Sequence, residues 1–366
     1  MRVLKHQLEF SIKKALVLFV ISVSACQLNT NSPELVSSAE LENWYGGRQF
    51  ATPLFSLKGN IVSAVVGDSN KYRLYLWQTA DGKEIPLPAK KPNVIVGFDN
   101  DGKIWAVYTD GGISVITITN GVVQEVYKLR PLEKEETFNL FVRNNQVWAV
   151  FYPSIYSLAL KRIQLWNVSE NKQLLSFDLT KGEQDENITQ VSLSPDAQWL
   201  AIGSGLNQLY NDVPSQRRFK IEIFRVSDGK MVQRLGGHSQ SVLSLCFSPD
   251  SQILASGGGE GDGKLKIWRV NDGRLMLEIV TQKSSSTFGL WSDWPQVRAI
   301  SFSQDGKKIA FGGGEHVVYV ANVEDGKVLK KLFGHKDIII GTAFNQEKNQ
   351  IISIDSTGTL NHWKNE

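Results

Sequence analysis

Cysteine and histidine are scarce in this chain, and their scarcity removes several kinds of chemistry at once. Two cysteines and five histidines serve 366 residues. Two thiols cannot supply the several bridges of a disulfide framework or the ligands of a cysteine-rich metal cluster. Cys246 falls in the alternating run VLSLCF, where it reads as a small core residue and not a reactive thiol. His6, His238, His316, His335 and His362 show no zinc-type spacing, so no metal site is expected. Excess charge is missing as well. The chain carries 40 basic and 37 acidic residues, and setting aside residues 1–25 leaves 36 of each. With no basic stripe to meet phosphates, nucleic acid is excluded as a partner. No helical periodicity follows Gly257–Gly259 or Gly312–Gly314, so these runs read as hairpin turns and not phosphate loops. No cofactor is expected.

What the chain does have is period-two alternation interrupted by turn signals. Its clearest stretch runs from Gly236 to Gly273, GGHSQSVLSLCFSPDSQILASGGGEGDGKLKIWRVNDG. Val242, Leu243, Leu245 and Phe247 read as one strand, Ile253 to Ala255 as a second, and Leu265, Ile267 and Trp268 as a third. The closing position recurs at Trp77, Ile116, Trp166, Phe224, Trp268, Ala321 and Trp363, at intervals near the roughly forty to fifty residues of one repeat. A first hairpin turn recurs as FDNDGK, LSPDAQ, FSPDSQ, FSQDGK and FNQEKN. The Asn, Asp, Pro and Gly residues of these turns supply the backbone angles that tight hairpins need.

The Gly-His pair, Ser-Pro-Asp turn, Gly-rich turn and Ile-Trp close, in that order, resemble a WD repeat, the unit of a β-propeller. The resemblance covers about residues 40–366, strongly in the fifth and sixth repeats and weakly in the first three. It implies an all-β fold: a seven-bladed β-propeller of four-stranded antiparallel blades, forming one domain. No fourth strand follows Trp363, so the N-terminal segment at about Glu34 to Gly46 is expected to complete the last blade and close the ring.

Within the fifth repeat His238, Ser256, Asp262 and Trp268 match the family's hydrogen-bonded tetrad, with Asp262 six residues and His238 thirty residues before Trp268. The resemblance implies a network running from the indole through serine and histidine to a buried aspartate. Nucleophilic hydrolases use the same residue types. Here the spacing is that of a blade-stiffening network, so no catalytic residue is assigned and the chain is not read as an enzyme. The last repeat keeps His335, Ser353 and Trp363 but has Thr357 where the aspartate belongs, a departure from the pattern.

Residues 1–25 read as a removable targeting segment. Lys13-Lys14 precede the apolar run Ala15 to Val23, which is too short to span a bilayer. Val23-Ser24-Ala25-Cys26 resembles the bacterial lipobox, which implies a diacylglyceryl group on Cys26, cleavage before it, and acylation of the new amine. Several acyl chains anchor far more firmly than one. The chain is therefore expected in the bacterial cell envelope, lipid-anchored to a membrane and facing out of the cytoplasm, with 26–39 as a polar tether. An ordinary signal peptide or an uncleaved helix, with Cys26 incidental, is the alternative.

Strand alternation places the first and third connections of each blade at one end of the disc, and the second connections and interblade links at the other. The second set is long: Tyr152 to Leu160, Gly205 to Phe219, Thr281 to Gln296, and the segment with Trp44-Tyr45. Aromatic side chains beside arginine on long loops favour recognition. Tyr210, Arg217, Arg218, Phe288, Trp291 and Trp294 are the candidate contacts, followed by Tyr152 and Tyr156. The alternative is that the tryptophans fold back over the propeller's apolar edge. The expected function is a membrane-anchored scaffold that binds a protein or peptide. An envelope assembly factor is the narrower alternative, and a propeller enzyme a more distant one.

Overall fold

A computed structural model describes residues 38–40, 54–55, 61–67, 72–79, 81–87, 94–98, 104–108, 113–119, 122–129, 136–143, 146–153, 162–178, 186–206, 219–281, 294–345 and 349–365. Alternation of apolar and polar residues is realised there as 27 β-strands, with no helix among the described residues. In chain order they are β1 (Ser38–Glu40); β2 (Leu54–Phe55), β3 (Ile61–Gly67) and β4 (Tyr72–Gln78); β5 (Val94–Phe98), β6 (Ile104–Tyr108), β7 (Ile113–Thr119) and β8 (Val122–Leu129); β9 (Glu136–Arg143), β10 (Gln146–Pro153), β11 (Arg162–Asn167) and β12 (Lys172–Asp178); β13 (Glu186–Leu193), β14 (Trp199–Leu206), β15 (Ile221–Arg225) and β16 (Met231–Leu235). They continue with β17 (Val242–Phe247), β18 (Ile253–Gly258), β19 (Lys264–Arg269) and β20 (Leu275–Val280); β21 (Ala299–Phe302), β22 (Lys308–Gly312), β23 (Val317–Asn322) and β24 (Val328–Phe333); β25 (Ile339–Asn345), β26 (Gln350–Asp355) and β27 (Thr359–Lys364).

From β2 onward, each group is one antiparallel sheet with strands paired in sequence order, and the described residues contain seven such sheets. β1 joins the seventh as its outer strand, with Ser38 opposite Asn361 and Glu40 opposite Thr359. This strand begins two residues inside the stretch read as a tether.

Six sheets have four strands, while the first has three. Among the described residues the chain after its Asp-Gly turn pairs back at one bridge, Trp77 to Glu84, flanked by bonds from Gln78 N to Lys83 O and from Ile85 N to Leu76 O. Pro86 follows, and a residue without an N–H cannot donate to a ladder.

Neighbouring sheets pack face to face through their apolar residues. Phe141, Leu165, Val191 and Leu200 join the third sheet to the fourth, and Ile223, Leu235, Leu245 and Trp268 the fourth to the fifth. Ile267, Ile279, Ile300 and Phe311 join the fifth to the sixth, and Val318, Val320, Ile339 and Ile351 the sixth to the seventh. Val62, Ala64, Tyr75 and Trp77 of the first sheet share one cluster with Ala343, Ile352, Ile354 and Leu360 of the seventh. Each valine, leucine, isoleucine or phenylalanine among them contributes about 1.5–3 kcal/mol when fully buried. His362 Nε2 also reaches the first sheet, 2.9 Å from Thr79 O.

The two ends of the sheets are built differently. At one, the residue after the third strand donates to the residue before the second: Val226 to Gln198, Val270 to Gln252, and Val323 to Lys307, each at 2.9 Å. The hairpins here repeat one design. Ser194, Ser248 and Ser303 each donate Oγ–H to a carboxylate two residues on, Asp196, Asp250 and Asp305, at 2.5–2.6 Å. Each aspartate also accepts an N–H two residues further along. At the opposite end, the turn between second and third strands bonds to the interblade links instead. Gly259 N donates to Ser241 O and Gly261 N to Pro295 O.

Candidate functional site

The four residues of the fifth repeat meet in a buried row. Trp268 Nε1 donates to Ser256 Oγ at 2.8 Å, and Ser256 Oγ lies 2.8 Å from His238 Nε2. His238 Nδ1 lies 2.6 Å from Asp262 Oδ2. An indole only donates and an ionised carboxylate only accepts, so the protons in between have one consistent order. Serine gives its proton to Nε2, and the imidazole gives its Nδ1 proton to Asp262. The other oxygen, Asp262 Oδ1, accepts Ser239 N–H at 2.9 Å and Ser239 Oγ–H at 2.6 Å. Ser256 is fully buried and its oxygen also accepts from the indole, so it is not presented to a substrate in this arrangement.

A second row stands in the seventh sheet, and here the sequence reading is corrected. Trp363 Nε1 donates to Ser353 Oγ at 2.7 Å, and Ser353 Oγ lies 2.7 Å from His335 Nε2. The carboxylate is Asp355, 3.0 Å from His335 Nδ1. Thr357, expected to replace the acid, supports it: its N–H and Oγ–H both donate to Asp355 Oδ1, at 3.0 and 2.5 Å.

The reason lies in the length of the turn. Asp262 stands in the turn after β18, whereas Asp355 is the last residue of β26. By register Gly258 in the fifth sheet corresponds to Asp355 in the seventh, because they lie opposite Val242 and Ile339 at the starts of β17 and β25. A Cβ on Gly258 would fall 1.7 Å from Asp262 Oδ2. The carboxylate of Asp262 therefore fills the space that a side chain at 258 would fill, and Asp355 reaches the same place directly. A serine and an aspartate two residues apart on one strand share a face, so Ser353-Ile354-Asp355 carried the missed signal.

The glycine runs are corrected too. Gly257 and Gly258 belong to β18 and Gly312 to β22, not to turns. A Cβ on Gly257 would stand 2.4 Å from Val297 O, so the bare backbone is what lets the next link pass close by.

Burial would raise the Asp262 carboxyl, but the bonds from His238 and Ser239 outweigh it and hold it below the ordinary carboxylate range. Asp355 is lowered in the same way, against burial, by His335, Thr357 and Lys336. Both groups therefore add stability above about pH 4, the unfolded carboxyl range, which fades as pH falls through their lower folded values.

Among the candidate contacts, Trp294 is described: it is 45% exposed and lies over Gly261, at the end that carries the interblade links. Tyr210, Arg217, Arg218, Phe288, Trp291 and the lipidation candidate Cys26 lie outside the described residues, as does Tyr156. Tyr152 is no surface contact. It is buried in β10 and donates its hydroxyl to Asn139 Oδ1 at 2.7 Å. No helix of the described residues is long and apolar enough to cross a membrane. No group of three or more potential metal ligands occurs among them.

Residues 229–269, from the turn before β16 to the end of β19, match the family described as WD domain, G-beta repeat. The chain carries a WD repeat. The four-stranded antiparallel sheets among the described residues fit the architecture that such repeats build. An uncharacterized WD repeat-containing protein of Synechocystis is 28% identical over 126 residues, 34% of this chain and 29% of that protein. Periodic tryptophan protein 2 of Saccharomyces cerevisiae is 30% identical over 130 residues, 36% of this chain and 13% of that protein. Its homolog in Mus musculus is 24% identical over 215 residues, 49% and 22% respectively. The matches thus span less than a third of each of these curated relatives. The matched WD repeat takes its first strand, β16, from the fourth sheet and the other three from the fifth, so one repeat bridges two sheets.

Proposed function

We propose that this WD-repeat chain is a seven-bladed propeller, closed by its N-terminal segment, that holds a protein or peptide partner on the end carrying its long links. Three observations support closure: the β1–β27 register, the apolar cluster shared by the first and seventh sheets, and the bond from His362 to Thr79. The one-strand offset between repeat and sheet favours it too, since β1, from ahead of the first repeat, then takes the outer place in the seventh sheet. The observation that carries the binding role is the asymmetry of the ends. Short carboxylate-capped hairpins repeat at one end, while long links gather at the other and one presents the half-exposed Trp294. Long segments on a stiff scaffold suit recognition. The His-Asp-Ser rows are committed to the sheets, which favours a scaffold over an enzyme. Crosslinking in intact cells, with capture on the wild-type chain and on a Trp291→Ala, Trp294→Ala variant, tests this. A partner captured by the wild type alone is the expected result; equal capture by both would move the site elsewhere.

The membrane tether is the second part of the proposal. Lipidated Cys26 would hold the propeller outside the cytoplasm of a bacterial cell, and the lipobox-like Val23-Ser24-Ala25-Cys26 is its support. Cys26→Ser should move the protein from the membrane fraction to the soluble fraction. A variant that still sediments with membranes would defeat this reading.

A further inference from the structure

We infer that Glu315 and Thr281 form a proton-dependent latch between the link that leaves the fifth sheet and the sixth sheet's turn. Thr281, at the start of the link, and Glu315, in the turn between β22 and β23, come from different sheets. Thr281 Oγ1 has one proton but meets two acceptors, Gly263 O at 2.9 Å and an oxygen of Glu315, Oε1. An ionised carboxylate would leave one of those contacts facing lone pair to lone pair. A protonated carboxyl resolves it: Oε1–H donates to Thr281, and Thr281 passes its own proton to Gly263 O. The second oxygen, Glu315 Oε2, is buried without a hydrogen-bond partner, a costly place for half a negative charge.

The charged groups on surrounding elements are directed elsewhere. On the fifth sheet's turn Asp262 is held by His238 and Ser239, and Lys264 is paired with Glu278. Across the link Arg298 bonds Gln296 and Glu260. Toward the seventh sheet His335 is held by Asp355, and Asp337 accepts Ile338 N–H. His316, next in the chain, sits at φ 59° in the turn. No ion pair to Glu315 occurs among the described residues. Consistent with this, burial pushes its carboxyl up to about 7, against a smaller opposing effect of the Thr281 bond.

The sign follows from where the proton is held. Once the latch opens, Glu315 returns to an ordinary carboxyl range near 4.5. The latch is at full strength below that range, weakens as pH rises from it, and is weakest above about 7. Proton loss thus loosens the base of the link that leads to Trp294. The latch involves neither the lipid anchor nor a partner.

Hydrogen exchange at the Thr281 amide, which donates to Gly263 O at 2.8 Å, corrected for intrinsic rates, tests it between pH 5 and 8.5. Wild type should lose protection several-fold over that range. Glu315→Gln, whose amide can donate to Thr281 at any pH, should stay flat and protected. The same pH dependence in both proteins, or none in the wild type, would overturn the latch. If the variant does not fold, infrared titration of the wild type decides. A protonated-carboxyl band lost with a midpoint near 7 supports the latch, and its absence at pH 6 refutes it.

Discussion

Asp262→Ala should destabilise the chain by about 3 kcal/mol, because the buried His238 donor loses its carboxylate, an unsatisfied buried group costs about 1–3 kcal/mol, and two bonds from Ser239 are lost with it. For a cooperative chain of this length that is roughly a 4 °C fall in melting temperature. The geometry supplies its own control. Gly258 points into the space that the Asp262 carboxylate fills, and it does not occupy the left-handed region. Gly258→Asp in the Asp262→Ala background copies the arrangement of Asp355 and should recover most of the loss. Gly258→Asp alone should be harmful, since two carboxylates would compete for one site. Calorimetry of the four proteins reads this as a double-mutant cycle. Additive losses would show that the carboxylate's position is not what the sheet requires.

Arg143→Met should cost at least as much, about 3–5 kcal/mol, by a different route. The guanidinium ends β9 in the third sheet, is buried, and spends its donors on backbone oxygens. Nε reaches Ser194 O at 3.1 Å, Nη2 reaches Leu193 O at 2.7 Å, and Nη1 reaches Val142 O at 2.9 Å. Burial pulls its pKa down to about 10, with Asp196 opposing, so it remains a cation at neutral pH. It stitches the third sheet to the first hairpin of the fourth. Methionine fills the volume but strands the carbonyls. Lysine keeps the charge but lacks the planar fork, so Arg143→Lys should recover little. Urea unfolding of the three proteins checks this, and a lysine variant as stable as wild type would show that charge alone suffices.

Much of this was legible along the chain, because β-structure writes itself locally. Alternation and Asp-containing turns mark strands wherever one face is buried, and the fifth repeat holds all four network residues at the family spacing. The misses share one physical origin. Asp355 was hidden by counting residues back from Trp363, when the network requires a location and not a distance along the chain. Arg143 sits in a polar RNNQ stretch that reads as an exposed turn, and only a sheet some fifty residues later buries it.

The interchange of Gly258 and Asp355 bears on how such a protein can change. Two turns of different length deliver a carboxylate to one point, so the turn is released from any duty to keep its length. Insertions and deletions between the second and third strands can accumulate without unlocking the sheet beneath. Those turns lie at the end where the links gather, and this end can therefore diversify quickly while the opposite one, tied by its repeated serine–aspartate hairpins, stays constant.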